Sequence, residues 1–177
     1  MRIEIIKVGE LQTNCYMLSI DNDVLLIDPG DEYEKINNKI KNKNLVGILI
    51  THRHFDHVGA LNELINNYNA KVYDFNNLKE EEYKINSFKF KVIYTKGHTD
   101  DSITFYFYKD NVMFCGDFLF KDSIGRCDFG NSSIQEMKKS IDKIRKYEDN
   151  IVIYPGHGPK TVLGYEKENN YFFNNIW

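Results

Sequence analysis

Residues 51–59 read THRHFDHVG and place four potential metal ligands within six residues of one another. His52 and His54 are two residues apart, so in an extended segment their side chains point the same way. Asp56 and His57 follow where the chain turns, which directs their side chains towards a second ion. Imidazole and carboxylate ligands together suit zinc, iron or manganese. The spacing therefore predicts a metal site.

The cluster lies between a predicted strand and a predicted helix. Residues 46–50 form a continuous apolar run, which is typical of a buried strand. After the cluster, apolar residues recur at helical spacing from Val58 to Tyr68. Open sheets commonly bind ligands at the carboxyl ends of their strands. We therefore expect the site at such an edge.

Three further potential ligands also follow predicted strands. The chain has five histidines, and the two outside the cluster, His98 and His157, each come just after an apolar run. Asp117 has the same position and is the natural carboxylate to bridge two ions, since ions about 3.5–4 Å apart can generate and orient a hydroxide nucleophile. Asp28 has two interpretations. It is either a turn former or an acceptor for the N–H of a ligand histidine, a partner that metal-bound imidazoles usually need.

The rest of the chain alternates short strands with helices. Short β-branched or apolar runs predict strands, and apolar residues three or four apart predict helices. Ser133 with Glu136 forms a capping-box pattern that opens one helix. The fold class is therefore α/β or α+β. The predicted strands are 2–8, 15–20, 23–28, 46–50, 71–73, 88–94, 103–108, 112–115 and 151–154; the predicted helices are 32–42, 58–68, 133–144 and a tail with Tyr171, Phe172, Phe173, Ile176 and Trp177 that docks on the core; and residues 78–84 are a solvated edge or loop.

Composition narrows the class of protein. The 177 residues fit a single domain spanning 1–177, and the net charge of −3 counts against nucleic acid as a partner. The amino-terminal segment has no apolar core like that of a signal peptide, and no apolar run approaches the ~20 residues of a membrane helix. We therefore expect a cytoplasmic protein with no membrane partner. Three cysteines without CxxC spacing predict small buried residues in a reducing compartment. The oligomeric state is left open.

Several short motifs together resemble the metallo-β-lactamase superfamily, and within it the small glyoxalase II-like (hydroxyacylglutathione hydrolase-like) hydrolases. The resemblance runs from about Val8 to Phe172. Its most specific part is 51–59, which matches the pattern THxHxDHxG. The other motifs are 8–16 (VGELQTNCY), 28–30 (DPG), 97–99 (GHT), 116–117 (GD) followed by 119–120 (LF), 125–128 (GRCD) and 155–159 (PGHGP).

The resemblance implies a fold and a ligand set. The implied fold is a four-layer αββα sandwich with the site at one edge of its two sheets. The implied cofactors are two divalent metal ions, zinc in the first place, with iron or manganese as alternatives. One ion would be held by His52, His54 and His98, the other by Asp56, His57 and His157, with Asp117 between them.

The activity implied by the resemblance is hydrolysis of a small thioester, an S-acyl derivative of a low-molecular-weight thiol. A hydroxide bridging the ions would attack the carbonyl, with Asp56 as the catalytic residue that orients its proton. A thiol has a pKa of about 8.5, so it can leave as thiolate without a strong general acid. The alternative is a persulfide dioxygenase, which shares these motifs but uses one iron held by two histidines and an aspartate.

Two features near the site concern the small-molecule substrate. Arg126, in the loop where related enzymes place a basic residue, either binds the substrate or forms a structural ion pair with Asp128. Asp100 and Asp101 follow His98 where the family motif usually has other residues. These two carboxylates count against an anionic substrate.

Overall fold

The strands of the chain form two large sheets and one small hairpin. The computed structural model describes residues 1–175. The strands are, in chain order, β1 (Arg2–Val8), β2 (Thr13–Ile20), β3 (Asp23–Ile27), β4 (Asn44–Leu49), β5 (Val72–Tyr73), β6 (Glu82–Ile85), β7 (Phe88–Tyr94), β8 (Ile103–Phe107), β9 (Val112–Gly116), β10 (Leu119–Phe120), β11 (Ser123–Ile124), β12 (Val152–Pro155) and β13 (Thr161–Val162). The helices are α1 (Tyr33–Ile40), α2 (Phe55–Val58), α3 (Leu61–Tyr68), α4 (Ile134–Ile144), α5 (Leu163–Asn169) and α6 (Tyr171–Asn174).

The first sheet has the order β1-β2-β3-β4-β5, and the second has the order β13-β12-β9-β8-β7-β6. In the first sheet, β3, β4 and β5 are parallel neighbours. In the second sheet, β12 runs parallel to β9, whereas β7 and β9 are each antiparallel to β8. The strands β7, β9 and β12 therefore share one direction, and their carboxyl ends lie at the same edge.

The two sheets pack face to face through an apolar core. Leu18 and Leu25 from the first sheet meet Phe90 and Phe105 from the second, and all four side chains are buried. Sheets that bury one face in this way must cover the other face as well if its residues are apolar.

Helices cover both outer faces. Ile36 of α1 and Leu64 of α3 pack on Leu26 of the first sheet, while Met137 of α4 packs on Met113 of the second. The helices and sheets therefore form four layers in the order αββα, which confirms the predicted mixed sandwich. Burial on both faces also explains why β3 is a continuous apolar run with no alternation.

The predicted elements needed four corrections. The helix predicted over 58–68 is two helices, because the backbone N–H groups of Gly59 and Ala60 bond to the carbonyls of Gly30 and Pro29. The segment 78–84 was predicted to be a solvated edge or loop, and it ends in β6, which is the edge strand of the second sheet. Strands β10, β11 and β13, and helix α5, were not predicted; two-residue strands are too short to show periodicity.

The helix that begins after Ser133 is confirmed, with the Ser133 hydroxyl accepting a hydrogen bond from the backbone N–H of Glu136 at 3.3 Å. In the tail, Phe173 of α6 is buried on the core, but Ile176 and Trp177 lie outside the described residues. All three cysteines are free; Cys15 and Cys115 are buried, whereas Cys127 is partly exposed. Over residues 1–175, no helix has the length and apolar character needed to cross a membrane.

Candidate metal centre

The carboxyl ends of five strands bring the predicted ligands to one edge of the sandwich. In the first sheet, Asp28 follows β3 and the cluster 51–57 follows β4. In the second sheet, His98, Asp117 and His157 follow β7, β9 and β12. Because β3 and β4 share one direction in the first sheet, and β7, β9 and β12 share one in the second, side chains far apart in sequence converge there.

Three histidines form the first group of converging ligand atoms. His52 Nε2 lies 3.2 Å from His54 Nδ1, and His98 Nε2 lies 3.0 Å from the same His54 Nδ1. His52 and His98 are buried, whereas His54 is partly exposed towards the surface. The three nitrogens lie within 4.8 Å of one another, a spacing that can hold one metal ion.

Asp56, His57 and His157 form the second group. Asp56 Oδ2 lies 3.1 Å from His157 Nε2 and 3.6 Å from His57 Nε2. These three ligand atoms also lie within 4.8 Å of one another. Both sets of three that the family resemblance implies are therefore close enough to hold an ion, and His52, His57 and Asp117 form a third such group across them.

Asp117 lies between the two groups. Its Oδ1 is 3.4 Å from His57 Nε2, and its Oδ2 is 3.5 Å from His157 Nε2 and 3.7 Å from His98 Nε2. One carboxylate therefore faces ligands of both groups, as a bridging ligand must. The structure brings all seven predicted ligands together.

The donor atoms fit a pair of divalent ions. Within residues 1–175, four buried side-chain polar atoms have no hydrogen-bond partner, and two of them are His57 Nε2 and Asp117 Oδ1. A buried polar atom without a partner is costly unless a ligand or ion satisfies it. Both atoms point into the ligand cluster, and nitrogen and oxygen donors of this kind suit zinc, iron or manganese.

Asp28 accepts a hydrogen bond from the ring nitrogen of His57 that faces away from the ligand cluster. His57 Nδ1 donates to Asp28 Oδ2 at 2.9 Å, and the same carboxylate accepts from the backbone N–H and the hydroxyl of Thr51 at 2.8 and 2.6 Å. Asp28 is buried and has a φ of 50°, the left-handed region that residues with a side chain seldom adopt. Asp28 was interpreted either as a turn former or as an acceptor for the N–H of a ligand histidine. The geometry supports the acceptor, which would fix the tautomer of His57 and direct its Nε2 to a metal ion.

Backbone carbonyls hold two other ligands in the same way. His98 Nδ1 bonds to the carbonyl of Arg126 at 2.9 Å, and His157 Nδ1 bonds to the carbonyl of Leu11 at 3.1 Å. Each contact leaves Nε2 free to face the ligand cluster. Neither acceptor could be predicted from the sequence, because every residue has a carbonyl and no residue type signals this role.

Both carboxylates of the site are held ionised. Burial works against the charge of Asp117, but the neighbouring imidazoles of His157 and His57 outweigh it and hold its pKa well below the usual range. Burial likewise opposes ionisation of Asp56, and hydrogen bonds from His157 and Thr13 lower its pKa well below the usual range. Thr13 Oγ1 donates to Asp56 Oδ2 at 2.9 Å, a role that sequence analysis did not assign.

The two groups of histidines differ in proton affinity. Burial and the neighbouring His57 lower the pKa of His52 well below its ordinary value, and burial with His98 lowers that of His54. Burial also lowers the pKa of His57, but the Asp28 and Asp117 carboxylates outweigh it and raise the pKa to about 10.

Hydrogen bonds to Asp117 and Asp56 raise the pKa of His157 to about 9. Without metal, the imidazoles of His57 and His157 therefore carry protons at neutral pH that a metal ion has to displace.

Two glycines allow the ligand loops to approach closely. A Cβ at Gly156 would lie 2.1 Å from Asp117 Oδ1 and 2.6 Å from His57 Cε1. Gly116 has a φ of +52°, and a Cβ there would lie 2.2 Å from Thr51 Oγ1. The last ligand motif therefore needs glycine before its histidine to leave room for the metal cluster.

A cavity of about 430 Å³ opens above the ligands. His54, Asp56, His98, Asp117 and His157 form its floor. Arg126 lies on its wall. Its guanidinium is also paired with Asp128 through Nε at 3.0 Å and Nη2 at 2.9 Å, so the ion pair named as the alternative role is present. Sequence analysis assigned no role to three apolar wall residues, Leu11, Phe55 and Phe129.

A buried carboxyl group anchors one wall of this cavity. Glu166 of α5 accepts hydrogen bonds from the Asp122 backbone N–H at 3.0 Å, the Thr161 hydroxyl at 2.5 Å and the Asn170 amide at 2.7 Å. The Asn170 amide also donates to the Ser123 carbonyl at 3.1 Å. These bonds tie the β10–β11 hairpin, which leads into the Arg126 loop, to the carboxyl-terminal helices.

The fold and the site together define a class of protein. The sequence matches the family model of the metallo-beta-lactamase superfamily over residues 8–76 and 73–157, and the chain belongs to that superfamily. The resemblance read from the motifs is therefore confirmed, and the protein is a member of a metallo-hydrolase family.

Two curated relatives match nearly the whole chain. One is the probable metallo-hydrolase YqgX of Bacillus subtilis, 32% identical over 200 residues that cover 94% of this chain and 95% of the relative. The other is the hydroxyacylglutathione hydrolase GloC of Haemophilus influenzae, 32% identical over 209 residues that cover 98% and 99% of the two chains.

Three solved structures are similar in fold. The B3 metallo-beta-lactamase BLEG-1 has a TM-score of 0.92 at 29% identity, covering 98% of this chain and 100% of that chain. TTHA1623, solved in a di-iron-bound form, has a TM-score of 0.87 at 29% identity, covering 96% and 99%. ETHE1 from Myxococcus xanthus has a TM-score of 0.87 at 26% identity, covering 97% and 84%.

Proposed function

We propose that this protein hydrolyses a small thioester, an S-acyl derivative of a low-molecular-weight thiol, with two zinc ions as cofactors. The observation that carries the proposal is the arrangement of seven nitrogen and oxygen ligands as two groups that share Asp117. Similarity to a hydroxyacylglutathione hydrolase over nearly the whole chain supports the thioester. A net charge of −3 supports a small molecule over nucleic acid as the partner.

The reaction adds water across the C–S bond of the thioester. Two bound divalent ions would lower the pKa of a water molecule and polarise a carbonyl oxygen. The water oxygen forms the new C–O bond, the C–S bond breaks, and the products are a carboxylate and a thiolate that takes up a proton from solvent. Because a thiol has a pKa of about 8.5, no strong general acid is required.

The residues of the chain have distinct parts in this reaction. Asp56, held by Thr13 at 2.9 Å, presents an ionised carboxylate that orients the proton of the attacking water. Asp28 keeps the His57 Nε2 lone pair directed at the metal by accepting the Nδ1 proton. The cavity above these ligands admits a substrate of small-molecule size.

The second candidate is a persulfide dioxygenase with one iron, which the fold similarity to ETHE1 supports. Such a site needs two histidines and one aspartate. Here a second group, Asp56, His57 and His157, also converges, and His57 Nε2 is buried without a partner. A persulfide dioxygenase shares these motifs, so the second group does not by itself separate the two candidates, whereas similarity to a hydroxyacylglutathione hydrolase over nearly the whole chain favours the hydrolase.

Metal analysis followed by turnover assays separates the two candidates. Purified protein is analysed for zinc, iron and manganese, then assayed with S-lactoyl thioesters by following the free thiol, and with a persulfide by following oxygen consumption. We expect two metal ions per chain and thiol release that chelation abolishes and zinc restores. One iron per chain with oxygen consumption and no thiol release would overturn the hydrolase.

A further inference from the structure

The cavity above the metal ligands has an apolar wall that starts at the ligands themselves. The ring of Phe129 packs edge-on against His54, with ring centroids 5.5 Å apart, and against His98 at 5.6 Å. If the carbonyl of a substrate lies at these ligands, the group attached to that carbonyl therefore contacts an apolar surface.

Exposed apolar side chains are concentrated at this cavity. Seven large apolar side chains are exposed in the part of the chain that the structure describes, and three of them, Leu11, Phe55 and Phe129, line it. Phe55 is 76% exposed and Leu11 is 54% exposed. They come from three separate segments, two loops and the first residue of α2, so no single amphipathic element explains their meeting. Apolar surface left in water around a cleft is typical of a ligand site.

The cavity offers little to an anionic group. Arg126 is the only Lys or Arg among the described residues that line it. Its guanidinium makes two parallel hydrogen bonds to Asp128 and lies 4.7 Å from the centre of the Phe129 ring. The positive charge is therefore paired with a carboxylate and with the face of an aromatic ring.

From these contacts we infer that the site prefers thioesters whose acyl group is apolar, with Leu11, Phe55 and Phe129 as the residues that determine this specificity. The inference rests on the proposed thioester hydrolysis. In this arrangement the acyl group packs against the apolar wall, and the thiol carrier has few charged contacts. A carrier rich in carboxylates gains nothing from this cavity.

A chain-length series tests the inference. The metal-loaded protein is assayed with S-acyl N-acetylcysteamine thioesters from acetyl to octanoyl, whose carrier is uncharged. Each methylene that becomes buried should raise kcat/KM by up to roughly fourfold, chiefly through KM. Phe55→Ala and Leu11→Ala should flatten the series. Tyr171→Ala, which removes an exposed aromatic ring outside the cavity, should leave it unchanged.

Two comparisons sharpen the test. With the same acyl group, the wild type should not prefer a glutathione carrier to the uncharged one, and Asp128→Asn, which releases Arg126, should lower KM for the glutathione thioester. A flat chain-length series, a series that Phe55→Ala does not change, or a wild-type preference for glutathione would overturn the inference.

A binding measurement keeps this inference separate from the proposed function. S-alkyl thioethers of the same lengths cannot be hydrolysed, and calorimetry gives their affinity. If fully metal-loaded protein cleaves no thioester, the hydrolase proposal fails. Thioether affinity that rises with chain length and falls in Phe55→Ala would still support an apolar ligand group, whereas affinity independent of length would contradict it.

Discussion

Replacing Asp28 with asparagine tests whether this residue controls the metal site through the tautomer of His57. The Asp28 carboxylate is 1% exposed and accepts three hydrogen bonds, two from Thr51 and one from His57 Nδ1. All three partners are donors. Asparagine has one acceptor oxygen, so its NH₂ group must face a donor in either orientation. If it faces His57, the imidazole proton moves to Nε2, the atom that would ligate metal.

The size of the effect follows from this geometry. Loss of an acceptor behind a metal-bound histidine typically costs 10- to 100-fold in metal affinity. At about 1.4 kcal/mol for each tenfold change, Asp28→Asn should weaken the second ion by about 1.4–2.8 kcal/mol. The first ion, held by His52, His54 and His98, should be affected less because none of its ligands bonds to Asp28 directly.

Competition with a chromophoric chelator measures the two affinities, and nitrogen-15 NMR of the imidazole rings reports the tautomer. Asp74→Asn is the matched control, because Asp74 is also buried but pairs with Arg53, which is not one of the predicted ligands. It should lower stability without changing the affinity for the second ion. If Asp28→Asn binds two ions as tightly as the wild type, or keeps the His57 proton on Nδ1, the reasoning is refuted.

Three further predictions concern the steric room at the ligands, the protons released when metal binds, and the hydrogen bonds that hold the cavity wall. Gly156→Ala should lower metal occupancy, because its Cβ would lie 2.1 Å from a carboxylate oxygen of the site. Gly130→Ala, whose Cβ would have no atom within 4 Å, should leave the occupancy unchanged. Elemental analysis compares the metal content of the two variants. Metal binding at pH 7 should release about two protons, because the pKa values of His57 and His157 are about 10 and 9 without metal. The metal affinity should therefore rise with pH in this range. Calorimetry in buffers of different ionisation enthalpy measures the release, and no release would contradict the prediction. Glu166→Gln should lower the free energy of unfolding by about 1–3 kcal/mol in urea denaturation, since one buried donor loses its acceptor; an unchanged midpoint would contradict this.

The sequence by itself determined the ligand types and their placement at strand ends. The run from His52 to His57 is local, so its spacing is visible without a fold. The histidines at 98 and 157 stand after apolar runs long enough to be recognised as strands. Helix α4 could also be predicted, because its capping residue and its apolar periodicity are both local signals.

Which atoms meet in the site depends on the packing of elements that are distant in the chain. Thr13 bonds to Asp56 across 43 residues, and the carbonyl of Leu11 holds His157 across 146 residues. Neither contact leaves a local pattern, since a threonine hydroxyl or a backbone carbonyl can occur anywhere. The pairing of Arg126 with Asp128 was one of two open interpretations until the loop geometry was available. Periodicity records which face of an element is buried, but long-range hydrogen bonds depend on how the elements are packed against each other.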